Sequence, residues 1–202
     1  MAILHSSFFI LHYLQAFDRQ VLLAINRTHT PVLDAVMVFA SNRLVWFPAY
    51  ALLVAGLVYW FRRRVLLLLP LLIVAVSLAD SITSRIFKPF FARPRPCHDP
   101  ALAGLLHLPG GCGGQFGFLS SHAANSFALA TFLLLVLPAG RFRFLKTGVF
   151  CWAALLSYSR LYLGAHYLTD VVGGAAIGGL LAAVAAAIYQ RRTNAASKPA
   201  SV

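Results

Sequence analysis

Three short blocks concentrate the reactive side chains of this sequence. Lys88, Arg95 and Pro96 stand as Lys-x6-Arg-Pro, and Leu119, Ser120, Ser121 and His122 follow as Leu-Ser-Ser-His. Ser159, Arg160, His166 and Asp170 complete the set as Ser-Arg-x5-His-x3-Asp. Three cations, two histidines, several hydroxyls and one carboxylate suit a phosphate group. Lysine and arginine neutralise a dianion, and guanidinium forks match its oxygens two at a time. Ser120 and Ser121 open a predicted helix, where free N–H groups and the helix dipole favour an anion. His166 and Asp170 are spaced i, i+4, so on a helix they share a face and the carboxylate can orient the imidazole. An oriented, neutral imidazole can attack phosphorus. His122 can then protonate the leaving oxygen as a general acid. The set is complete for in-line phosphoryl transfer and calls for no metal or other cofactor.

The elements that must position these residues are apolar. The chain is 60% hydrophobic, and its mean hydropathy is +0.78. Leu44–Phe61 carries no charge, and neither does Val65–Ala79, whose pattern continues with polar interruptions to Phe87. Ala123–Pro138, Thr147–Ser159 and Tyr167–Tyr189 are similar, the last with Asp170 near its start. A bilayer core is crossed by about 20 apolar residues, and inside lipid the backbone must satisfy its own hydrogen bonds. The blocks therefore predict an all-α, polytopic membrane helix bundle of about five transmembrane helices. The helices of a soluble core would show polar faces, which these mostly lack. Residues 28–190 form the catalytic bundle in this reading, with neither a soluble domain nor an internal repeat. Residues 1–27 are expected to be an interfacial amphipathic segment, because His12, Gln15, Asp18 and Arg19 interrupt its apolar run. A sixth, short span is the alternative. No basic leader or small-residue cleavage site marks a signal peptide.

Charge orients the bundle. The net charge of +12 is gathered in clusters between spans rather than spread as a nucleic-acid footprint. Arg62, Arg63 and Arg64 follow the first span, and Arg141, Arg143 and Lys146 join the third to the fourth. Arg191, Arg192 and Lys198 lie in a basic tail over residues 191–202. Five spans put all three clusters on one side, which the positive-inside rule makes cytoplasmic. The three reactive blocks then share the opposite face, in a periplasm or its equivalent, on a multi-pass protein of the cell (inner) membrane. Cys97 and Cys112 fall in that outer loop, where an oxidising compartment permits a disulfide between them. A zinc site from Cys97, His98, His107 and Cys112 lacks the usual paired spacing.

The three blocks resemble the signature of the type 2 phosphatidic acid phosphatases, the superfamily that also contains vanadium haloperoxidases. The resemblance covers residues 88–170 in motif and most of the chain in helix layout. It implies a phosphohistidine mechanism with His166 as nucleophile, Asp170 as its orienting partner and His122 as proton donor. Lys88, Arg95, Ser120 and Arg160 would hold the phosphate, beside the Ser121 backbone N–H. The middle block departs from the usual Pro-Ser-Gly-His, with Leu119 in place of proline and Ser121 in place of glycine. A small bacterial member of this kind is expected to be an integral-membrane lipid phosphatase. Undecaprenyl diphosphate ranks first as substrate, and phosphatidylglycerophosphate or phosphatidate next. A lipid-to-lipid phosphotransferase on the same histidine is one alternative. A non-catalytic lipid-binding or transport protein is another, against which His122, His166 and Asp170 all argue.

Four further residues have plainer readings. Cations at span ends often only snorkel to the interface, and Arg93 is expected to contact a lipid headgroup. Asp80, near a membrane boundary, is expected to pair with a site arginine. Gly174 and Gly178 form a small-xxx-small step, read as a helix-packing surface.

Overall fold

A computed structural model describes residues 2–138 and 140–195, with side chains from residue 13 onward. Eight α-helices carry the fold: α1 Ala2–Asn26, α2 Pro31–Ser41, α3 Phe47–Phe61, α4 Val65–Ser81, α5 Lys88–Phe91, α6 Ser121–Val136, α7 Arg143–Tyr162 and α8 Leu168–Ala195. A π-helical turn, Ile82–Phe87, joins α4 to α5, and no strand is present among the described residues. The all-α bundle read from the sequence is the fold observed. α3, α4 with its extension, α6, α7 and α8 coincide with the five apolar blocks.

Local chemistry explains where the helices begin. Thr30 caps α2 by accepting the Leu33 N–H at 3.2 Å, with Pro31 in the first turn. Ser120 does the same for α6, accepting from Ala123 N–H at 3.4 Å. α7 starts before the charge-free window, and Lys146 near its start donates to the Leu137 carbonyl at the end of α6, at 2.7 Å. Two helical stretches, Arg43–Phe91 and Leu168–Ala195, are long and apolar enough to cross a membrane, and Ser121–Val136 is a shorter apolar helix. Leu52, Leu66, Ile73 and Leu180 point outward at 61–77% exposure. An apolar exterior of this kind is what a hydrocarbon solvent requires.

The core sits where α6 and α8 meet, lined by Phe132, Leu133, Ala128, Ala182 and Ala185, with Leu68 and Leu72 of α4 against them. Gly174 and Gly178 make the contact closest. A methyl group on Gly174 would strike the Ser120 carbonyl oxygen, and one on Gly178 the Ala124 carbonyl oxygen. In lipid, such van der Waals fit replaces the hydrophobic drive that water supplies.

The N-terminal segment is one 25-residue helix, α1. Its polar residues are not all interruptions, since Asp18 and Asn26 are buried at 1% exposure. Asn26 donates to the carbonyls of His107 at 2.8 Å and Tyr162 at 2.7 Å, and accepts the His107 N–H at 2.8 Å. The helix is thereby fastened to the loop before α6 and to the end of α7.

The basic clusters gather at one end. Arg62, Arg63, Arg64 and Arg141 line one recess, and Arg141 stacks 3.9 Å above the Trp60 ring. The end of α8 lies beside the end of α6, where Gln190 donates to the Leu135 carbonyl at 2.8 Å. The starts of α6 and α8 form the other end of the bundle, with the reactive residues. Lys198 and the rest of the expected tail beyond Ala195 lie outside the described residues.

Candidate active site

Lys88 arrives at the site on the rod formed by α4, the π turn and α5. The widened turn places Thr83 inward, with its Oγ1 2.9 Å from Ser121 Oγ, and Lys88 Nζ donates to the same Ser121 oxygen at 2.9 Å. Turns of this type recur at functional sites. The hydroxyl that replaces a family glycine is thus already bonded to a site lysine. Chain direction reverses at Ala92 (φ 44°), and a short antiparallel pairing holds the next segment. Arg95 N–H donates to the Gln115 carbonyl at 3.0 Å, and Gly117 N–H to the Arg93 carbonyl at 2.9 Å. Cys97 and Cys112 are bonded to each other beside this pairing, with Cα atoms 5.8 Å apart. The zinc alternative loses both thiolates to that bond, and His98 Nε2 lies 3.0 Å from the Gly113 carbonyl instead.

The turn between α7 and α8 carries His166. α7 ends at Tyr162, and Gly164 takes the left-handed conformation (φ 65°) that closes many helices. The N–H groups of Ala165 and His166 fold back onto the Arg160 carbonyl at 3.0 and 3.2 Å. Arg160 and His166 are thereby locked to one another through the backbone. The His166 ring is 1% exposed, and its Nδ1 lies 3.5 Å from Asp170 Oδ2. That is an electrostatic contact, longer than a hydrogen bond, of the kind that tightens when a substrate is seated. On the other side of the ring, Arg95 donates from Nη1 to His166 Nε2 at 2.9 Å and to the Ala165 carbonyl at 3.1 Å. A guanidinium can only donate, so Nε2 presents its lone pair. Burial, together with the positive charges of Arg95, Arg160 and Lys88, holds the His166 pKa well below the ordinary histidine value. The imidazole is thereby favoured in its neutral form.

The cations are incompletely satisfied. Arg160 bonds Ser41 Oγ through Nη1. Among the described residues, the buried Nε atoms of Arg95 and Arg160 have no hydrogen-bond partner. Buried donors are almost always paired, so two open guanidinium donors, one of them on the arginine that meets Nε2, are free to take an anion. His122, in the first turn of α6, faces Arg160, His166, Arg43 and Lys88. All eight residues expected from the sequence, Lys88, Arg95, Ser120, Ser121, His122, Arg160, His166 and Asp170, therefore meet at one end of the bundle.

Two recesses approach this point. One, of about 450 Å³, runs down between α3, α4, α6 and α7. It has Arg43, Asp80, Ser121 and His122 at its polar mouth, and Leu53, Leu72, Val76 and Leu129 in its apolar wall. The other, of about 290 Å³, is polar and bounded by Ser41, Asn42, Gly110, Gly113 and Arg160.

Two expectations require correction. Arg93 is no lipid-facing cation: it donates at 2.7 Å both to Asp170 Oδ1 and to Asp18 Oδ2. Proximity in sequence to Arg95 concealed this, since the loop turns the two side chains to different partners. Asp80 accepts from the Asn125 side-chain amide at 3.0 Å, and among the described residues no arginine forms a salt bridge with it. Sequence reading also passed over Asp18, although a carboxylate in so apolar a chain is itself a signal. Arg43, which lines the larger recess, belongs to none of the sequence motifs.

Comparison with known proteins agrees with the geometry. The model of the PAP2 superfamily matches residues 66–194. The chain is 38% identical over 173 residues to a lipid A 4'-phosphatase of Bacteroides thetaiotaomicron, covering 84% of this chain and 76% of that protein. Among solved structures it is similar to LpxE of Aquifex aeolicus, with TM-score 0.60 and 27% identity over 82% of this chain and 92% of that one. It is also similar to a transmembrane PAP2-type phosphatidylglycerolphosphate phosphatase of Bacillus subtilis, with TM-score 0.60 and 26% identity over 88% and 86% of the two chains. The chain belongs to the PAP2 superfamily and is a membrane lipid phosphatase of that type.

Proposed function

We propose that this PAP2-superfamily member hydrolyses a phosphomonoester of a membrane lipid through a phosphohistidine on His166, at the outer face of the cell membrane. The observation that carries the proposal is the meeting of a buried His166, its Nε2 lone pair toward Arg95, with the charges of Arg95, Arg160 and Lys88, next to an apolar recess that reaches Ser121 and His122. The lipid's chains would lie in the recess lined by Leu53, Leu72, Val76 and Leu129, and its phosphate would sit among Lys88, Arg95 and Arg160. Arg95 moves its donated hydrogen bond from His166 Nε2 to a phosphate oxygen, which frees the lone pair at the moment the phosphorus arrives. Nε2 then attacks in line, a P–N bond forms and the P–O bond to the lipid breaks. His122 gives its proton to the departing oxygen. In the second step His122 takes a proton from water, the water oxygen attacks phosphorus, and the P–N bond breaks to release phosphate. Asp170 steadies the imidazolium through both steps, and the Ser120 and Ser121 end of α6 faces the phosphate oxygens.

The similarity to a lipid A 4'-phosphatase at 38% identity ranks a lipid A phosphate first among substrates. Phosphatidylglycerophosphate ranks next, on the Bacillus subtilis structure. Undecaprenyl diphosphate, first from the sequence, moves behind them because these similarities favour monoesters. The deciding experiment is phosphate release by detergent-purified protein from these three lipids, with EDTA present. Release from a monoester, inhibition by vanadate and loss of both turnover and phosphoenzyme in His166→Ala are expected. Turnover that EDTA abolishes and a divalent ion restores would refute the histidine mechanism.

A further inference from the structure

The N-terminal helix touches both sides of the turn that carries His166. On one side Arg19 donates to Asp99 Oδ2 at 3.0 Å, and the same oxygen accepts from the Tyr167 hydroxyl at 2.6 Å. On the other side Asp18 accepts the Thr169 N–H at 3.0 Å and the Thr169 hydroxyl, and its Oδ2 meets Arg93 Nη2 at 2.7 Å. Arg93 spends its other terminal nitrogen on Asp170 Oδ1 and Thr169 Oγ1, both at 2.7 Å, and lies 4.2 Å over the Tyr167 ring. Asp170 Oδ2 accepts the Tyr167 N–H at 3.0 Å and faces His166 Nδ1. Asp18 and Asp170 are buried at 1% and 0% exposure, and Arg93 is 22% exposed. Hydrogen bonds therefore run from α1 to Asp170, whose other oxygen stands 3.5 Å from the imidazole.

We infer that Arg93 and Asp18 are positioning residues of the phosphatase, acting on His166 through Asp170. The inference rests on the histidine mechanism proposed above. Arg93 fixes one oxygen of Asp170, so that the other is left at the imidazole. Asp18 in turn fixes Arg93: with both its terminal nitrogens held by carboxylates, the fork cannot swing away. Neither residue touches phosphate, because their forks and oxygens are occupied by one another. The helix that the sequence assigns to the membrane surface thus becomes part of the catalytic apparatus.

The test compares Arg93→Met, Arg93→Lys and Asp18→Asn with wild type on one lipid monoester, recording kcat, KM and the pH profile of kcat. His166 is faced by Arg95, Arg160, Lys88, His122 and Asp170. Asp170 is faced by Arg93 and Arg95, with Asp18 behind Arg93. Removing Arg93 takes one positive charge from this group, so protons bind more readily and the acid limb of kcat moves to higher pH. Arg93→Met should lower kcat on the order of 10–100-fold, as loss of an outer-sphere partner does in metal sites, with KM within about twofold and the acid limb raised by about one unit. Arg93→Lys keeps the charge and should restore the limb but only part of kcat. Asp18→Asn should lower kcat several-fold without raising the limb. Unchanged kcat in Arg93→Met, a rise in KM alone, or a loss of kcat matched by loss of folded protein with an unmoved limb would each overturn the inference. If Arg93→Met does not fold, Asp18→Asn decides by the same kcat and KM criteria. Inactive wild type would instead refute the phosphatase reading itself.

Discussion

Replacing Asp170 by asparagine removes one charge from the catalytic centre while nearly preserving shape. The carboxylate Oδ2 stands 3.5 Å from His166 Nδ1. In the ground state the imidazole is neutral, so the contact is worth little there. In the proposed mechanism the ring becomes cationic once Nε2 bonds to phosphorus, and the carboxylate's attraction is then felt in full. At 3.5 Å and an effective dielectric constant of about 20, it amounts to about 5 kcal/mol. At 1.36 kcal/mol per factor of ten, that corresponds to between about 10³ and 10⁴ in rate. An amide oxygen can still accept from Nδ1 and recovers part of this, so Asp170→Asn should reduce kcat on the order of 10³-fold. KM should stay within a few-fold, because the carboxylate never meets the substrate. Rapid-quench measurement of acid-labile phosphoenzyme separates the steps, and its formation should slow in parallel with turnover. Loss of the buried Arg93 pair will also lower stability, so folded protein must be quantified by size-exclusion and thermal melting. A kcat within tenfold of wild type, or a defect carried by KM, would refute the assignment of Asp170 to the imidazolium.

Three further outcomes follow from other parts of the structure. His166 is held neutral by burial and by Arg95, Arg160 and Lys88, so the acid limb of kcat/KM should lie below the ordinary histidine value of about 6.5. The same shift sets a sign for stability: the unfolded chain takes up the proton first as pH falls, so thermal stability should erode below about pH 6.5 and be unaffected above it. Gly178→Val should force α6 from α8 at the Ala124 carbonyl, costing roughly 1–3 kcal/mol, read as a lower melting temperature with loss of turnover. Cys97→Ser with Cys112→Ser should destabilise the outer loop by about 3 kcal/mol, over a separation of 15 residues. Faster proteolysis of that loop and weaker vanadate inhibition, through looser placement of Arg95, are the expected readouts.

The helices were legible because a bilayer solvent demands long apolar runs, and the five blocks left no other economical reading. The reactive set was legible because its spacings survive in one dimension: Ser-Arg-x5-His-x3-Asp places Arg160, His166 and Asp170 within two turns and a loop. What escaped were pairings between distant segments. Asp18 and Arg93 are 75 residues apart, and nothing local announces that an acid in α1 will meet an arginine after α5. Arg93 was misread for a physical reason, since a cation at a span end has an inexpensive alternative in lipid headgroups. Asp80 was misread in the opposite sense: it looked costly enough to need an arginine, yet an amide from Asn125 at a wet boundary sufficed. The extra residue of the π turn, which brings Thr83 onto Ser121, has no signature in composition.

The two recesses reach different members of the site: one, walled by leucine and valine, reaches Ser121 and His122, and the other, with glycine, serine and asparagine in its wall, reaches Arg160. In the proposed mechanism the lipid would leave sideways into the bilayer and the anion would follow past Arg160 into water, so that neither product blocks the other's exit. Free phosphate entering by the aqueous opening can occupy the cations while a lipid tail still rests in its groove. Because an incoming lipid needs the same cations for its own phosphate, added phosphate should slow the enzyme in a way that more lipid relieves.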